Sequence, residues 1–360
     1  MKRKALFIGG TGTISSAITA ALAAEGKWEL TLLNRGNRDT EVPAGVRLIH
    51  ADINDESAVR RLLEGQTWDC VAEFIGFVPA QVERDWRLFR GRTAQYMYIS
   101  SASAYQKPAT SPFITEGTPL ANPYWQYSRD KIACEAFLME KYRSEGFPVT
   151  LIRPSHTYGQ RSVPVGVHGA QGSWQVLRRM LDGKPVIIHG DGTSQWTLTH
   201  NSDFAKGFIG LMGNPHALGN AFQITSDETL TWNQIYEGIA AVLGVELKAC
   251  HVASEFLADV GSQYDLRGGL LGDKACTVLF NNAKLKRAVP GFQATVRFEE
   301  GIRDTISHIL AHPELQVEDP AFDAWCDRVI AAMEAAKVYF VGRTYRSPVA
   351  DFTASMKTGE

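Results

Sequence analysis

The sequence predicts an α/β fold: a doubly wound parallel sheet followed by a smaller C-terminal α/β lobe. Three observations predict it. Short apolar runs alternate with helix-like segments through nearly the first half of the chain. The first run ends in a glycine turn, GGTGTIS at Gly9–Ser15, that opens straight into an alanine-rich segment. After Gly159 this alternation breaks up. Strands that alternate with helices imply a parallel sheet covered on both faces.

The elements follow in order. Lys4–Ile8 (KALFI) is a buried first strand, short and ended by glycines. Ser15–Glu25 is a helix of small residues, and Glu29–Leu33 and Arg47–His50 are the second and third strands. Asp55–Glu64 is a helix, with Asn54 as its expected N-cap. Cys70–Phe74 and Ala94–Ile99 are the fourth and fifth strands, Pro123–Ser144 a long helix, and Val149–Arg153 the sixth strand. Beyond Gly159, Val163–Trp174 (VPVGVHGAQGSW) is expected to be a mobile loop over the site. A helix near Gln175–Leu181 and a strand at Val186–Ile188 follow. Asn282–Ala288, Phe298–Ala311 and Ala321–Tyr339 are further helices. On the last of these, Phe322, Trp325, Val329 and Met333 keep helical spacing. They predict packing on the body of the protein or on a neighbouring subunit, the latter giving a homodimer. The expected division is a dinucleotide-binding domain over 1–158, to which later segments return, a substrate lobe over 159–312 and a helical extension with a tail over 313–360.

Strand, glycine turn and helix together cradle a dinucleotide. Gly9 allows the tight turn and Gly12 lets the backbone approach a pyrophosphate. The helix mouth at Thr13 and Ile14 supplies N–H donors and the positive end of the dipole. Position 15 is the usual third small residue, and serine stands there instead of glycine. In such Rossmann-type sheets, ligands gather at the carboxyl ends of the strands. The loops expected there carry Gly9–Gly12, Asn34 and Arg35, Asp52, Phe74–Gly76, Ser100 and Ser101, and Pro154–His156.

Tyr127 and Lys131 carry the chemistry. Four residues apart, they share one helix face a turn apart. None of the other tyrosines among the 11 has a lysine at this spacing. A phenol with a pKa near 10 is a poor base at neutral pH. A cation beside it favours the phenolate and brings it toward the working range of an acid–base group.

These motifs, in this order, resemble the extended short-chain dehydrogenase/reductases, the NAD-dependent epimerase/dehydratase family, from Met1 to about His312. The resemblance makes GGTGTIS the phosphate loop and ADI at Ala51–Ile53 the adenine contact, through Asp52 and the backbone of Ile53. It makes YISSASAY at Tyr98–Tyr105 the fifth strand, with Ser101 as the catalytic hydroxyl. RPSHTYG at Arg153–Gly159 is then the turn bordering the nicotinamide. It implies hydride transfer at a carbinol of a sugar-type substrate, with Tyr127 moving the proton and Ser101 holding the same oxygen. Lys131 is expected to lower the tyrosine pKa and hold the cofactor ribose. Phe74, Ile75, Gly76, Ser100, Pro154 and His156 complete the expected cofactor contacts.

Three departures narrow the reading. LLNRG follows the second strand, so Asn34 replaces the acid that selects NAD, with Arg35 next and Arg38 near. A guanidinium suits a 2′-phosphate, which favours NADP; NAD held through Asn34 is the alternative. An arginine that grips a diphosphate in nucleotide-sugar relatives falls here at Trp196, which can only stack or donate one N–H. Ala102 and Ser103 stand where dehydratases carry an Asp–Glu pair, so dehydration is disfavoured. Ala102, Ser103, His156, His168 and Trp196 are the candidate substrate contacts. For Trp196 core packing is the competing reading, for His156 backbone fixation, and for His168 a solvated loop position. Asp203 is expected to support contact between the lobes.

Composition agrees with a two-lobed enzyme. With 360 residues and 44% apolar content the chain can bury a large core. A net charge of −2 gives no basic face for nucleic acid. QWTLTHNSDFA resembles plastid stem-loop RNA-binding relatives, so a non-catalytic binding protein is the rival reading, disfavoured because those relatives lack the Tyr/Lys pair. Five dispersed cysteines suit a reducing cytoplasm. The apolar run after MKRK is too short for a signal peptide, and no run has the length of a membrane span. His308 and His312 have metal spacing but no third ligand, so no metal is expected.

Overall fold

The computed structural model describes residues 2–36 and 42–341. Arg38 and the tail after Val341 lie outside the described residues. Seven parallel strands form the main sheet: β1 (Arg3–Ile8), β2 (Trp28–Asn34), β3 (Arg47–His50), β4 (Cys70–Glu73), β5 (Tyr96–Ile99), β6 (Val149–Pro154) and β7 (Asn220–Ile224). Their spatial order is β7-β6-β5-β4-β1-β2-β3. The order reverses at β1, which pairs with both β2 and β4, and a ligand crevice forms at such a switch point.

The helices cover both faces because β1 is apolar throughout its buried length. Ala5 and Phe7 face one side with α1 (Thr13–Glu25) and α5 (Asn201–Leu211), through Ile18, Leu22, Phe204 and Phe208. Leu6 and Ile8 face the other with α2 (Glu56–Leu62), α3 (Pro79–Phe89) and α4 (Gln126–Glu145), through Val59, Val82, Leu88 and Leu138. Each such fully buried aliphatic side chain contributes roughly 1.5–3 kcal/mol. The cap of α2 is Asp55, not Asn54: its carboxylate accepts from the Ala58 N–H, whereas Asn54 bonds Asp52. The α3 helix is absent from the sequence reading. It starts at Pro79, with Gln81 accepting from the Phe77 and Val78 N–H groups.

The chain crosses back to the main sheet after the second lobe begins. The α5 helix, β7 and the segment carrying Leu285 and Phe292 all join its core. The second lobe has its own core around Trp174, Trp196, Trp232 and Phe298. The helix Pro320–Val341 packs on this lobe through Phe322, Trp325 and Val329. Arg179 pins it there by bonding Asp323 and Asp327. The expected loop at 163–174 is instead part of the core: Val163, Val165 and Val167 are buried, and the Tyr236 hydroxyl accepts from the Gly166 and Val167 N–H groups. Alternate valines turned inward explain why it does not stand off as a lid. No helix among the described residues is long and apolar enough to cross a membrane.

Candidate active site

The glycine turn is built as the motif requires. Gly9 has φ +82°, and a Cβ there would lie 2.6 Å from Ile75 Cγ2; at Gly10 it would lie 2.4 Å from Leu32. Ser15 tightens the turn rather than loosening it. Its hydroxyl accepts from the Gly12 N–H at 2.8 Å and donates to the Gly9 carbonyl at 2.7 Å. Asn201 ties the second crossing to this loop by donating to the Thr13 carbonyl at 3.0 Å. The opening turn of α1 leaves N–H groups without helical partners.

Two recesses meet at Gly9, Gly12, Ile75 and Phe77. One, of about 440 Å³, is bounded by Asn34, Arg35, Asp52 and Ile53. The other, of about 370 Å³, is bounded by Thr13, Ile14, Phe74, Ser100, Ser101, Tyr127, Lys131, Pro154 and His156. Together they have the shape a dinucleotide needs: a ring at each end and a glycine cradle between. The buried Asn34 amide nitrogen has no partner, while its Oδ1 accepts from the Gly36 N–H at 3.0 Å. An adenosine ribose would satisfy that nitrogen, so these residues fit a dinucleotide. A larger groove of about 690 Å³ lies between the helices Trp232–Leu243 and Phe298–Ala311. It holds neither a glycine loop nor any of the motif residues.

Ser101, Tyr127 and Lys131 share the second recess. Asn122 starts α4 by accepting from the Tyr124 and Trp125 N–H groups, which sets Tyr127 in the first turn. Arg153 of β6 bonds Glu135 of α4 through two nitrogens and locks the helix to the strand leading to Pro154. Lys131 is buried, and its Nζ donates to the Gly76 and Ile99 carbonyls, each at 2.7 Å. It also lies 4.8 Å from the Phe77 ring and 5.7 Å from that of Tyr127. Burial pulls the Lys131 pKa down to about 8, against the Cys134, Glu73 and Glu135 charges that push it up.

The expected lowering of the Tyr127 pKa is not what this geometry gives. Burial raises it, the Ser101 hydroxyl partly offsets that, and the Asp273 carboxylate adds to it. Lys131 donates to two backbone carbonyls, and its charge is not among the effects that set the acidity of the phenol. Ser101 is braced from below: its hydroxyl lies 2.8 Å from that of Ser103, which accepts from Ser128 at 2.7 Å.

Several expected substrate contacts are corrected. Ala102 and Ser103 are buried because the short turn Ala102–Ala104 folds them inward. Trp196 is buried at 2% exposure and stacked on Trp232, so its ring belongs to the lobe core. His168 is exposed, with Nδ1 2.9 Å from the Gly169 carbonyl. His156 lines the recess, but burial holds its pKa at about 3, with Lys274 and His168 adding to the effect. A neutral imidazole at physiological pH can hydrogen-bond but does not carry a second proton. Gly76 serves Lys131 and Tyr98 through its carbonyl. Asp203 accepts from the Val296 N–H and Lys206, which joins α5 to the segment entering the helix Phe298–Ala311. His308 and His312 stack at 3.8 Å, and no group of three or more metal-ligating side chains exists among the described residues.

Phe77 was missed. It borders both recesses and lies 6.4 Å from the Tyr127 ring. An exposed phenylalanine after a glycine carries no sequence signal of its own. Glu73 was also missed. It ends β4, accepts from the Ile75 N–H and sits against Arg84 beneath the Ile75–Gly76 turn. Burial, together with the Asp85 charge, pushes its pKa well up.

Known proteins resemble this chain in sequence and in fold. A 2′-dehydrokanamycin reductase from Streptomyces kanamyceticus is 25% identical over 290 residues, 81% of this chain and 80% of that protein. The chloroplast stem-loop binding protein of 41 kDa b from Arabidopsis thaliana is 26% identical over 71% of this chain, but only 64% of that protein. The structure of UDP-glucuronic acid 4-epimerase from Bacillus cereus with UDP-glucuronic acid and NAD superposes with a TM-score of 0.69. It is 18% identical and covers 86% of this chain and 99% of that one, which shows a common fold. The model of the NAD dependent epimerase/dehydratase family matches residues 5–225, and with the glycine cradle and the seven-stranded sheet already described, this chain belongs to that family.

Proposed function

We propose that this chain is an NAD(P)-dependent oxidoreductase or epimerase acting at a carbinol of a sugar or sugar-derived molecule. The observation that carries the proposal is that Ser101, Tyr127 and Lys131 open into the same recess as the glycine turn. When bound, the nicotinamide supplies or accepts the hydride. Tyr127 Oη holds the proton of the substrate oxygen, and Ser101 donates to that oxygen and stabilises charge developing on it. Two of the three Lys131 N–H groups are fixed on carbonyls, which leaves the third to reach the ribose. A phenol with a raised pKa is protonated at neutral pH and so is in the form that donates when a carbonyl is reduced. The exposed Arg35 at the rim of the adenosine recess supports NADP over NAD. The sugar-directed names of the relatives support a carbohydrate substrate, and the absence of an acid pair at Ala102 and Ser103 argues against dehydration.

The stem-loop binding relative supports a second reading, RNA binding. The Tyr127/Lys131 pair and the net charge of −2 favour catalysis.

The test is Tyr127→Phe. NADPH and NADH binding is followed by fluorescence, and initial rates are measured with 2′-dehydrokanamycin, UDP-glucose and UDP-glucuronic acid. The variant keeps cofactor affinity and loses at least ~100-fold in rate. Equal rates in the two proteins would defeat the proposal.

A further inference from the structure

A buried polar group with no role assigned so far lies beneath the recess that holds Tyr127 and Lys131. At the end of β4 the chain leaves the sheet, and the turn it makes borders both recesses through Ile75 and Phe77. Glu73 is the last residue of that strand and is fully buried. One carboxyl oxygen accepts from the Ile75 N–H. The other lies 3.5 Å from Arg84, without a hydrogen bond. Arg84 of α3 is held in turn by Asp85 at 2.7 Å and by the side-chain oxygen of Asn54 at 2.8 Å. Tyr96 closes the group by donating to Asp85 at 2.7 Å. Two acids and one guanidinium are thus withdrawn from water. Apolar side chains of similar volume are often as stabilising as such a buried ionic group, or more so. Stability therefore does not account for it.

The contacts of Glu73 lead to Lys131. Gly76 packs on the Glu73 side chain: a Cβ there would lie 3.0 Å from Glu73 Cγ and 3.3 Å from the Tyr98 ring. The Gly76 carbonyl accepts from Lys131 Nζ at 2.7 Å and from the Tyr98 hydroxyl at 3.1 Å. The other acceptor for Lys131, the Ile99 carbonyl, ends β5, which pairs with β4. That carbonyl is fixed by the sheet. The Gly76 carbonyl belongs to a turn, and the Glu73–Ile75 bond is what ties this turn to the strand below it. Burial and the Asp85 charge push the Glu73 pKa well up, which favours the uncharged acid. A hydrogen-bond acceptor of the right length, rather than a net charge, is then what this position supplies.

We propose that Glu73 is a positioning residue: by holding the Ile75 N–H it orients the Gly76 carbonyl, and that carbonyl sets where the Lys131 ammonium presents its remaining N–H to the cofactor. This rests on the reading of Lys131 as the group that reaches the ribose on the nicotinamide side. Glu73 itself touches neither cofactor nor substrate. Its length matters as much as its polarity, because one methylene fewer withdraws the oxygen from the turn.

The test is calorimetric titration of the full-length protein with NADPH and 2′-phospho-ADP, and with NADH and ADP. The two fragments fill the adenosine side and lack the nicotinamide ribose, so the ratio of dinucleotide to fragment affinity reads the Lys131 contact. Glu73→Met lowers this ratio about tenfold, the value of a hydrogen bond from a charged donor, and leaves fragment affinity nearly unchanged. Methionine fills a similar volume and Arg84 keeps Asp85 as its partner, so the variant folds. Glu73→Asp keeps the acid but not its reach, and lowers the ratio to a similar extent. Glu73→Gln keeps an acceptor at the same length and retains the wild-type ratio. An unchanged ratio in Glu73→Met and Glu73→Asp, a ratio in Glu73→Gln as low as theirs, or an equal loss of fragment and dinucleotide affinity overturns the proposal. Where the wild type binds a dinucleotide, such a result leaves the cofactor assignment standing; a wild type that binds neither dinucleotide overturns both.

Discussion

Replacing Lys131 by methionine separates its chemical role from its structural one. The side chain is 1% exposed, and its ammonium makes two 2.7 Å bonds to the Gly76 and Ile99 carbonyls. Bonds from a charged donor contribute roughly 1.5–3 kcal/mol each, so losing both costs about 3–6 kcal/mol. Against this stands the burial of the charge. The pKa falls from 10.5 to about 8, and at about 1.4 kcal/mol per unit this relieves roughly 3 kcal/mol when the charge is removed. Methionine fills nearly the same volume. The net loss is therefore about 0–3 kcal/mol, read from urea unfolding midpoints, and the variant folds. Turnover falls at least ~100-fold all the same, because the recess loses its cation. The pH dependence supplies an independent check. The folded-state pKa lies below the unfolded one, so between pH 8 and 10.5 the unfolded chain binds more protons and stability rises with pH. Lys131→Met flattens this rise. A folded variant with turnover within a few-fold of wild type, or with an undiminished rise, would refute the reasoning.

Two further outcomes follow from the same geometry. His156 is held neutral, with a pKa of about 3 against an ordinary 6.5, so stability is full above pH 6.5 and is lost as pH falls toward 3. In His156→Asn the acid limb of a thermal-stability profile is shallower, by about 1–2 kcal/mol at pH 5; an unchanged limb contradicts this. Arg35→Ala weakens NADPH binding about tenfold and NADH binding little, as measured by fluorescence titration; equal effects on both would remove the case for NADP.

What the sequence revealed follows from how the signals arise. The strands from β1 to β6 were legible because apolar runs such as KALFI end in glycine or charged residues. The recess was legible because its parts lie in strand-end loops, where the parallel topology collects them. The α3 helix escaped because PAQVERDWRLF turns Arg84 and Asp85 into the core, hiding the apolar stripe. Val78-Pro79 followed by Gln81 was the start signal that could have found it. The segment 163–174 misled because its glycines suggested mobility while Val163, Val165 and Val167 alternated inward. Trp196 could not be settled from sequence, since only the fold brings Trp232 against it. Glu73 was invisible for the same reason. Nothing local in CVAEF reports that Arg84 of α3 turns inward to meet it.

The Tyr127 pKa shows what sequence spacing cannot supply. The i, i+4 relation put phenol and ammonium on one helix face, yet the ammonium donates to backbone carbonyls of the Ile75–Gly76 turn and of β5. Proximity along a helix does not decide where a flexible cation points. Burial and Asp273 then outweigh the Ser101 contact in setting the phenol's acidity.

A crystal structure of the protein soaked with NADPH tests the core of the account most directly. It predicts the adenosine beside Asn34 and Asp52, the pyrophosphate on Gly12, and the nicotinamide C4 facing Tyr127 across a gap that admits one alcohol carbon, with reacting atoms about 3–3.5 Å apart. A dinucleotide bound with its nicotinamide turned away from Tyr127, or one excluded from the recess, would contradict it.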